Sequence, residues 1–151
     1  MYALSLCMFT ILQSCVTTKH AAQKSTVIVS EEIGLITIRA NEYGDKVDDA
    51  IAKAKILAIK TILFRGLPTS NQLRTPMIGV DEVKIMKSNS KYFNEFFDNA
   101  RYESFIISAV VVSDFKKDIS NKKAITVDIK INIRALRNDL EVNSILRKFG
   151  L

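Results

Sequence analysis

The side chains that could do chemistry in this 151-residue chain are few, and their positions limit the reactions open to it. There is one histidine, His20, and there are two cysteines, Cys7 and Cys15. Because the histidine precedes the part of the chain expected to fold, that part has no Ser–His or Cys–His pair and no histidine for a metal site. The five glycines form no phosphate-binding loop. The sequence therefore predicts that the protein is not an enzyme, with no catalytic residue, no metal and no cofactor.

Cys15 is the residue whose surroundings specify a chemistry. It follows Leu-Gln-Ser at positions 12–14, and these come directly after an apolar run over residues 3–11. A branched apolar residue three positions before a cysteine, with a small residue directly before it, resembles the lipobox of bacterial lipoproteins. The resemblance implies that residues 1–14 are a signal peptide and that Cys15 is the lipidation site. Two or more acyl chains give stable membrane anchoring.

Other interpretations of the N-terminal run are an apolar terminus that is frayed or buried, and a membrane-spanning helix. A span needs about 20 apolar residues, and Gln13, Lys19 and His20 interrupt the run. Residues 15–25 are then the lipidated cysteine and a flexible polar tether. The tether has no acidic cluster of the kind that accompanies export to the cell surface. We therefore expect anchoring in the bacterial outer membrane, facing the periplasm, with the membrane as a partner through acyl chains on Cys15.

Composition and charge narrow the class of protein. Hydrophobic residues make up 48% of the chain and charged residues 25%, which is typical of a globular protein. Residues 26–151 are long enough for one domain with a core of its own. The net charge is +6, but Lys and Arg alternate with Asp and Glu and are not interleaved with aromatic residues. A basic surface near anionic lipid headgroups is thus favoured, and nucleic acid is not expected as a partner.

Hydrophobic periodicity predicts the elements of this domain. The helix expected over residues 45–65 has a continuous apolar stripe, an N-cap at Asp45 and a C-terminal glycine, Gly66. Alternation predicts strands over 34–41, after a shorter strand with a turn near Gly34, and over 124–135. The apolar run 105–112 is predicted to be a central strand. Short helices are expected over 81–87 and 91–99, and a C-terminal helix over 136–149.

Two segments are candidates for contact with a partner protein. Residues 67–79 hold both prolines and are predicted to form a long surface loop, and long ordered loops often carry function. Residues 92–97 hold four aromatic side chains within two helical turns, for which burial beneath the domain is the favoured alternative. The candidate contact residues are Leu67, Thr69, Asn71, Arg74, Phe93 and Phe97.

These elements predict an α+β fold, with an antiparallel or mixed sheet of about four strands and with the long helix and the C-terminal helix on one face. The strand ending at residues 39–44, the alanine-rich helix at 49–54 and the late segments 136–140 and 149–150 resemble small envelope lipoproteins related to the N-terminal domain of flagellar assembly protein T. The resemblance implies a non-enzymatic envelope domain that supports a membrane-spanning assembly, and it carries over no site residues.

The leading functional hypothesis is therefore a lipid-anchored structural or accessory component of a cell-envelope assembly, such as a secretion system, with other envelope proteins as partners. The alternative is a periplasmic binding module for peptidoglycan or a small ligand. The first hypothesis predicts a contact surface. The second predicts a concave site with convergent polar groups.

Overall fold

The computed structural model describes residues 25–117 and 121–147. The predicted signal peptide, Cys15 and nearly all of the predicted tether lie outside these residues. The strands are β1 (Ser25–Glu32), β2 (Leu35–Tyr43), β3 (Ile106–Val111), β4 (Lys116–Lys117) and β5 (Lys123–Asn132). The α-helices are α1 (Val47–Lys60), α2 (Glu82–Ser88), α3 (Ser90–Phe97) and α4 (Ile133–Val142). Within the described ranges, no helix is long and apolar enough to cross a membrane.

The strands form one open antiparallel sheet in the order β1-β2-β5-β3, and the two-residue β4 also pairs with β5. A tight turn containing Gly34 joins β1 to β2. Its φ of 79° lies in the left-handed region that glycine adopts without steric cost. The predicted α+β class is confirmed, with a sheet that is antiparallel throughout and has five strands rather than about four.

The helices cover one face of the sheet, which we call the inner face. α1 packs on β2 and β5, and α4 also contacts β2. Ala50, Ala54 and Ala58 of α1 have no exposed surface, and such small side chains let a helix approach a sheet closely. The alternation predicted for the central strands is confirmed, because the inner-face residues are all buried: Ile36, Ile38, Ala40, Ile125, Val127, Ile129 and Ile131.

The predicted long helix is confirmed over most of its length. α1 continues as a π-helical turn over Thr61–Arg65 and ends at Gly66, whose N–H donates to the Thr61 carbonyl over 2.8 Å. The predicted N-cap at Asp45 is wrong, because the cap position is Lys46 and no side chain accepts a hydrogen bond there. The helix begins late because the Gly44 N–H still donates to the Lys123 carbonyl, which keeps the chain in the sheet.

The last strand ends earlier than predicted. The Asn132 side chain accepts a hydrogen bond from the Ala135 N–H over 2.9 Å, so it caps α4 and starts the helix at Ile133 rather than at residue 136. The two short helices lie close to their predicted ranges. Asp81 caps α2 by accepting the Lys84 N–H over 3.0 Å.

The predicted central position of the strand at residues 105–112 is wrong. β3 lies at the edge of the sheet, where it pairs antiparallel with β5. A continuous apolar run is typical of a strand that is covered on both faces. In this fold α1 packs on β2 and β5, and the side chains of Val110 and Val111 remain 56% and 45% exposed.

Candidate functional site

The face of the sheet opposite the helices, which we call the open face, has no described element packed across it. The strand register places Val27, Arg39, Asp128 and Val110 in one row, with one residue from each of β1, β2, β5 and β3. Val27 and Val110 are 60% and 56% exposed at the two ends of this row. The row is therefore polar at its centre and apolar at both ends.

An ion pair holds the centre of the row. Arg39 donates from Nε to Asp128 Oδ1 over 2.7 Å and from Nη2 to Oδ2 over 2.8 Å. The hydrogen bonds from Arg39 lower the pKa of the Asp128 carboxyl. Bidentate geometry of this kind fixes both side chains as well as pairing their charges. The open face thus has a rigid charged centre joining its two central strands.

The edge strand β3 combines exposure with a lack of charge. Ile107, Val110, Val111 and Val112 are each between 44% and 56% exposed. Residues 104–113 contain no charged residue, no proline and no glycine. Natural edge strands usually carry charges, prolines or short lengths that block pairing with another chain. We call residues 107–112 the β3 edge, and it is the most distinctive surface feature of the described chain.

The opposite edge strand, β1, is protected by a polar contact that sequence reasoning missed. The Glu31 carboxylate accepts hydrogen bonds from the Ser70 hydroxyl over 2.6 Å and from the backbone N–H groups of Asn71 and Gln72 over 3.0 and 2.9 Å. These bonds, led by the one from Ser70, lower the pKa of Glu31 to about 2. Glu31 therefore ties the end of β1 to the loop after α1. The adjacent glutamates at positions 31 and 32 give no signal in the sequence that one of them binds this loop.

Only part of the predicted surface loop is exposed to solvent. Leu67 is 5% exposed and Ser70 is fully buried, whereas Thr69, Asn71 and Arg74 are exposed. The loop is held by backbone bonds, such as the Leu67 N–H to the Leu73 carbonyl over 2.7 Å. The candidate contact at Leu67 is therefore corrected, because its side chain belongs to the core. The other three candidates of this loop are available to a partner.

The aromatic segment is mainly a core element, as the favoured alternative predicted. Phe93 and Phe96 have no exposed surface, so the candidate partner contact at Phe93 is corrected. Phe97 is partly buried, with its ring centroid 6.1 Å from that of Phe93 and with the Lys60 ammonium 5.3 Å from its centroid. The Phe97 ring is consequently covered by the domain's own side chains on two sides.

A polar network borders this aromatic cluster. Asp139 of α4 accepts hydrogen bonds from the Tyr92 hydroxyl over 2.6 Å and from Arg101 Nη1 over 2.7 Å. The Arg101 guanidinium also lies 4.8 Å from the centroid of the Tyr92 ring. Burial, together with the Asp139 carboxylate, raises the pKa of the Tyr92 hydroxyl. The network joins α3 to α4. Its members are too far apart in the chain for spacing to reveal it.

A small cleft lies at the start of α4. It has a volume of about 240 Å³, and its lining includes Arg134, Arg137, Gln72, Ile33 and Met77. Neither arginine forms an ion pair with any residue that the structure describes. Two guanidinium groups beside apolar side chains form a surface suited to an anionic group that carries an apolar part.

No reaction centre is found in the described part of the chain. No three His, Cys, Asp or Glu side chains come together there in a way that would hold a metal ion. The acidic groups with shifted pKa values are explained by their partners, for example Asp49 by Lys53 and Asp114 by Lys116. The features left for function are the β3 edge, the open face and the cleft at α4.

Comparison with protein-family models, with curated proteins and with solved structures finds no match.

Proposed function

We propose that this chain is a lipid-anchored, non-enzymatic protein of the bacterial outer membrane that serves as a structural or accessory component of a cell-envelope assembly, such as a secretion system. In this proposal Cys15 carries the acyl chains and the folded domain binds other envelope proteins. The observation that supports it best is the β3 edge, an exposed apolar strand without a single charge over residues 104–113.

An exposed edge strand recognises proteins by adding another strand to the sheet. The main chain then supplies the hydrogen bonds, and side chains at alternate positions select the partner. The β3 edge presents apolar side chains and no charged ones. It therefore suits an extended segment that is itself apolar. Exposed apolar patches on proteins commonly mark contacts with other proteins or with membranes.

The way the chain enters the domain fits an anchor on one side and a contact on the other. Ser25 begins β1 opposite Asn41, at the edge of the sheet farthest from β3. Neighbouring strands lie about 4.8 Å apart, so three strand spacings place the two edges roughly 14 Å from each other. The first described residue thus lies at the edge of the sheet opposite the proposed contact.

The anchor is tested by mass spectrometry and membrane fractionation of the full chain expressed in a Gram-negative host, compared with Cys15→Ala. We expect acylated Cys15 as the first residue in the membrane fraction, and loss of membrane retention in the variant. An unmodified Cys15 with residues 1–14 still attached would refute the anchor.

The contact is tested by crosslinking in the same cells. Val110→Lys should reduce the yield of crosslinked envelope proteins, while Val27→Glu, at the other end of the same row, should leave it unchanged. Equal yields from Val110→Lys and wild type would remove the β3 edge from the proposed contact.

The cleft at α4 favours a second candidate function, a periplasmic binding module. Peptidoglycan and many small ligands carry carboxylates, which suit two arginines that form no ion pair within the described ranges. Binding of peptidoglycan fragments that Arg134→Gln and Arg137→Gln both weaken, and that Val110→Lys leaves unchanged, would favour this candidate over the first.

A further inference from the structure

We infer that the β3 edge is occupied by the β3 edge of a second copy of this chain, with the two strands antiparallel about a two-fold axis at Val111. This inference concerns self-association of the folded domain, so it does not depend on lipidation of Cys15. It rests on the part of the proposed function that makes the β3 edge a contact, and it deepens that part by naming a second copy of this chain as the strand that pairs there and by giving the geometry of the pair.

The backbone of β3 determines which groups are available. The Val112 N–H donates to the Thr126 carbonyl of β5 over 2.9 Å. In an antiparallel ladder alternate residues point their N–H and C=O groups to opposite sides, so Val111 and its alternate neighbours Ala109 and Ser113 turn theirs away from β5. No described strand pairs with that side of β3. A second strand centred on Val111 would satisfy these groups in pairs.

The side chains of this register are complementary to themselves. A two-fold axis at Val111 places the two Val111 side chains opposite each other on the inner face. It also places Val110 of each copy opposite Val112 of the other on the open face. These valines are 44% to 56% exposed in one copy. Pairs of β-branched side chains across neighbouring strands stabilise a sheet.

Charge also favours a second copy in this register. The chain carries a net charge of +6, so most contacts between two copies would be repulsive. Residues 104–113 carry no charge. The exposed ion pair of Asp114 and Lys116 lies beyond the end of β3. The strand residues that pair in this register therefore bring no like charges together.

The other edge of the sheet does not offer the same surface. β1 has the charged residues Glu31 and Glu32 at its end, and Glu31 is already bound to the loop at residues 70–72. Both edge strands contain one register shift, between Ile28 and Ser30 in β1 and between Ile106 and Ser108 in β3, so the charged end of β1 is what distinguishes them. Pairing through β3 therefore forms a closed dimer with a continuous sheet, and it leaves both β1 edges outside.

The test is sedimentation analysis of the full chain, purified in a mild detergent, with three variants. Wild type should be a dimer. Val111→Lys and Val111→Glu should each raise the dimer dissociation constant at least about tenfold, because like charges would then be carried by directly opposed residues whose Cα atoms lie roughly 5.5 Å apart. An equal mixture of the two variants should dimerise again, because opposite charges then meet at the axis. Val27→Glu is the control and should remain dimeric.

Two outcomes would overturn the inference: a monomeric wild type, or a mixture of Val111→Lys and Val111→Glu that stays monomeric while both variants show wild-type thermal unfolding. Hydrogen exchange gives a second measurement. The amides of Ala109, Val111 and Ser113 should exchange slowly in wild type and fast in Val111→Lys. Fast exchange of these amides in wild type would contradict pairing through β3.

Discussion

The two edge strands of the sheet, β1 and β3, are joined to the rest of the domain by different kinds of contact. β1 has exposed valines and a clamp of hydrogen bonds from Glu31 to the loop at residues 70–72. β3 has no such clamp and is anchored at its beginning by Phe105, which is 7% exposed and stacks 5.8 Å from Phe96. The polar clamp ties the end of β1 to the loop, whereas β3 is held by an apolar anchor and its exposed side chains carry no charge. The difference supports the β3 edge as the surface that accepts another strand.

The largest effect is expected from removing the apolar anchor of β3. Phe105→Ala should lower the free energy of unfolding by about 3 to 4 kcal/mol, because it leaves a cavity beside Phe96. Ile28→Ala, at a partly buried position of β1, should cost only about 1 kcal/mol. Urea unfolding of both variants makes the measurement. Equal losses would show that β1 is anchored in the core as firmly as β3.

The second prediction breaks the polar clamp of β1. Glu31→Gln should cost about 2 kcal/mol at pH 7, because the loop loses hydrogen bonds to a charged acceptor. The pKa of Glu31 is lowered from 4.5 to about 2 on folding, so its contribution is complete above pH 4.5 and is lost as the pH falls toward 2. The stability difference between wild type and variant should therefore shrink to less than half at pH 3.

Glu32→Gln is the matched control for this clamp. The Glu32 side chain is 61% exposed and lies 3.5 Å from Lys130, and pairs of this kind contribute little. We expect a change in the free energy of unfolding below about 0.5 kcal/mol at both pH values. A loss from Glu32→Gln as large as that from Glu31→Gln would mean that general charge, and not the loop contact, stabilises β1.

The third prediction concerns the ion pair between the two edges. A double-mutant cycle with Arg39→Gln and Asp128→Asn should give a coupling energy of about 0.5 to 1 kcal/mol, since the Arg39 side chain is 48% exposed. Because the pair is near the surface, 1 M salt should reduce the coupling. A coupling above about 2 kcal/mol would indicate that the open face is covered in solution.

The smallest effect on stability is expected at the ends of the same row. Val110→Lys places a cation beside Asp128, and Val27→Glu places an anion beside Arg39. Each should change the free energy of unfolding of the isolated domain by less than about 0.5 kcal/mol, as is usual for exposed positions. Chemical unfolding at dilute concentration measures this. A large loss from Val110→Lys alone would make Val110 a structural residue rather than a contact residue.

The parts of the fold that could be predicted are those set by local periodicity. The apolar stripe of α1 and the alternation of Ile125 to Ile131 in β5 both depend on residues a few positions apart, and both lie on the core as expected. The position of β3 at the edge of the sheet depends instead on which strands the helices cover. No periodicity within β3 contains that information, because it is determined by α1 packing on other strands.

The polar contacts that the sequence did not predict all join residues that are far apart in the chain. Glu31 and Ser70 are 39 residues apart, and Tyr92 and Asp139 are 47 apart. Neither contact can be recognised from a single sequence, because each of these residue types is common on protein surfaces. The predicted exposure of the loop residues Thr69 and Arg74 is confirmed, whereas Leu67 is buried, because tertiary packing determines its exposure. For Phe93 the favoured prediction of burial is confirmed.

The pairing of β2 with β5 has a consequence for how the chain folds. β1 and β2 are joined by a tight turn, and β3 lies close to β5 in the chain, so each of these pairs can form from nearby residues. The contact between Arg39 and Asp128 in the two central strands spans 89 residues, and closing so long a segment costs more entropy and slows folding. We therefore expect the pairing of β2 with β5 to form last. Until it forms, the uncharged strand β3 is most exposed to pairing with a wrong strand.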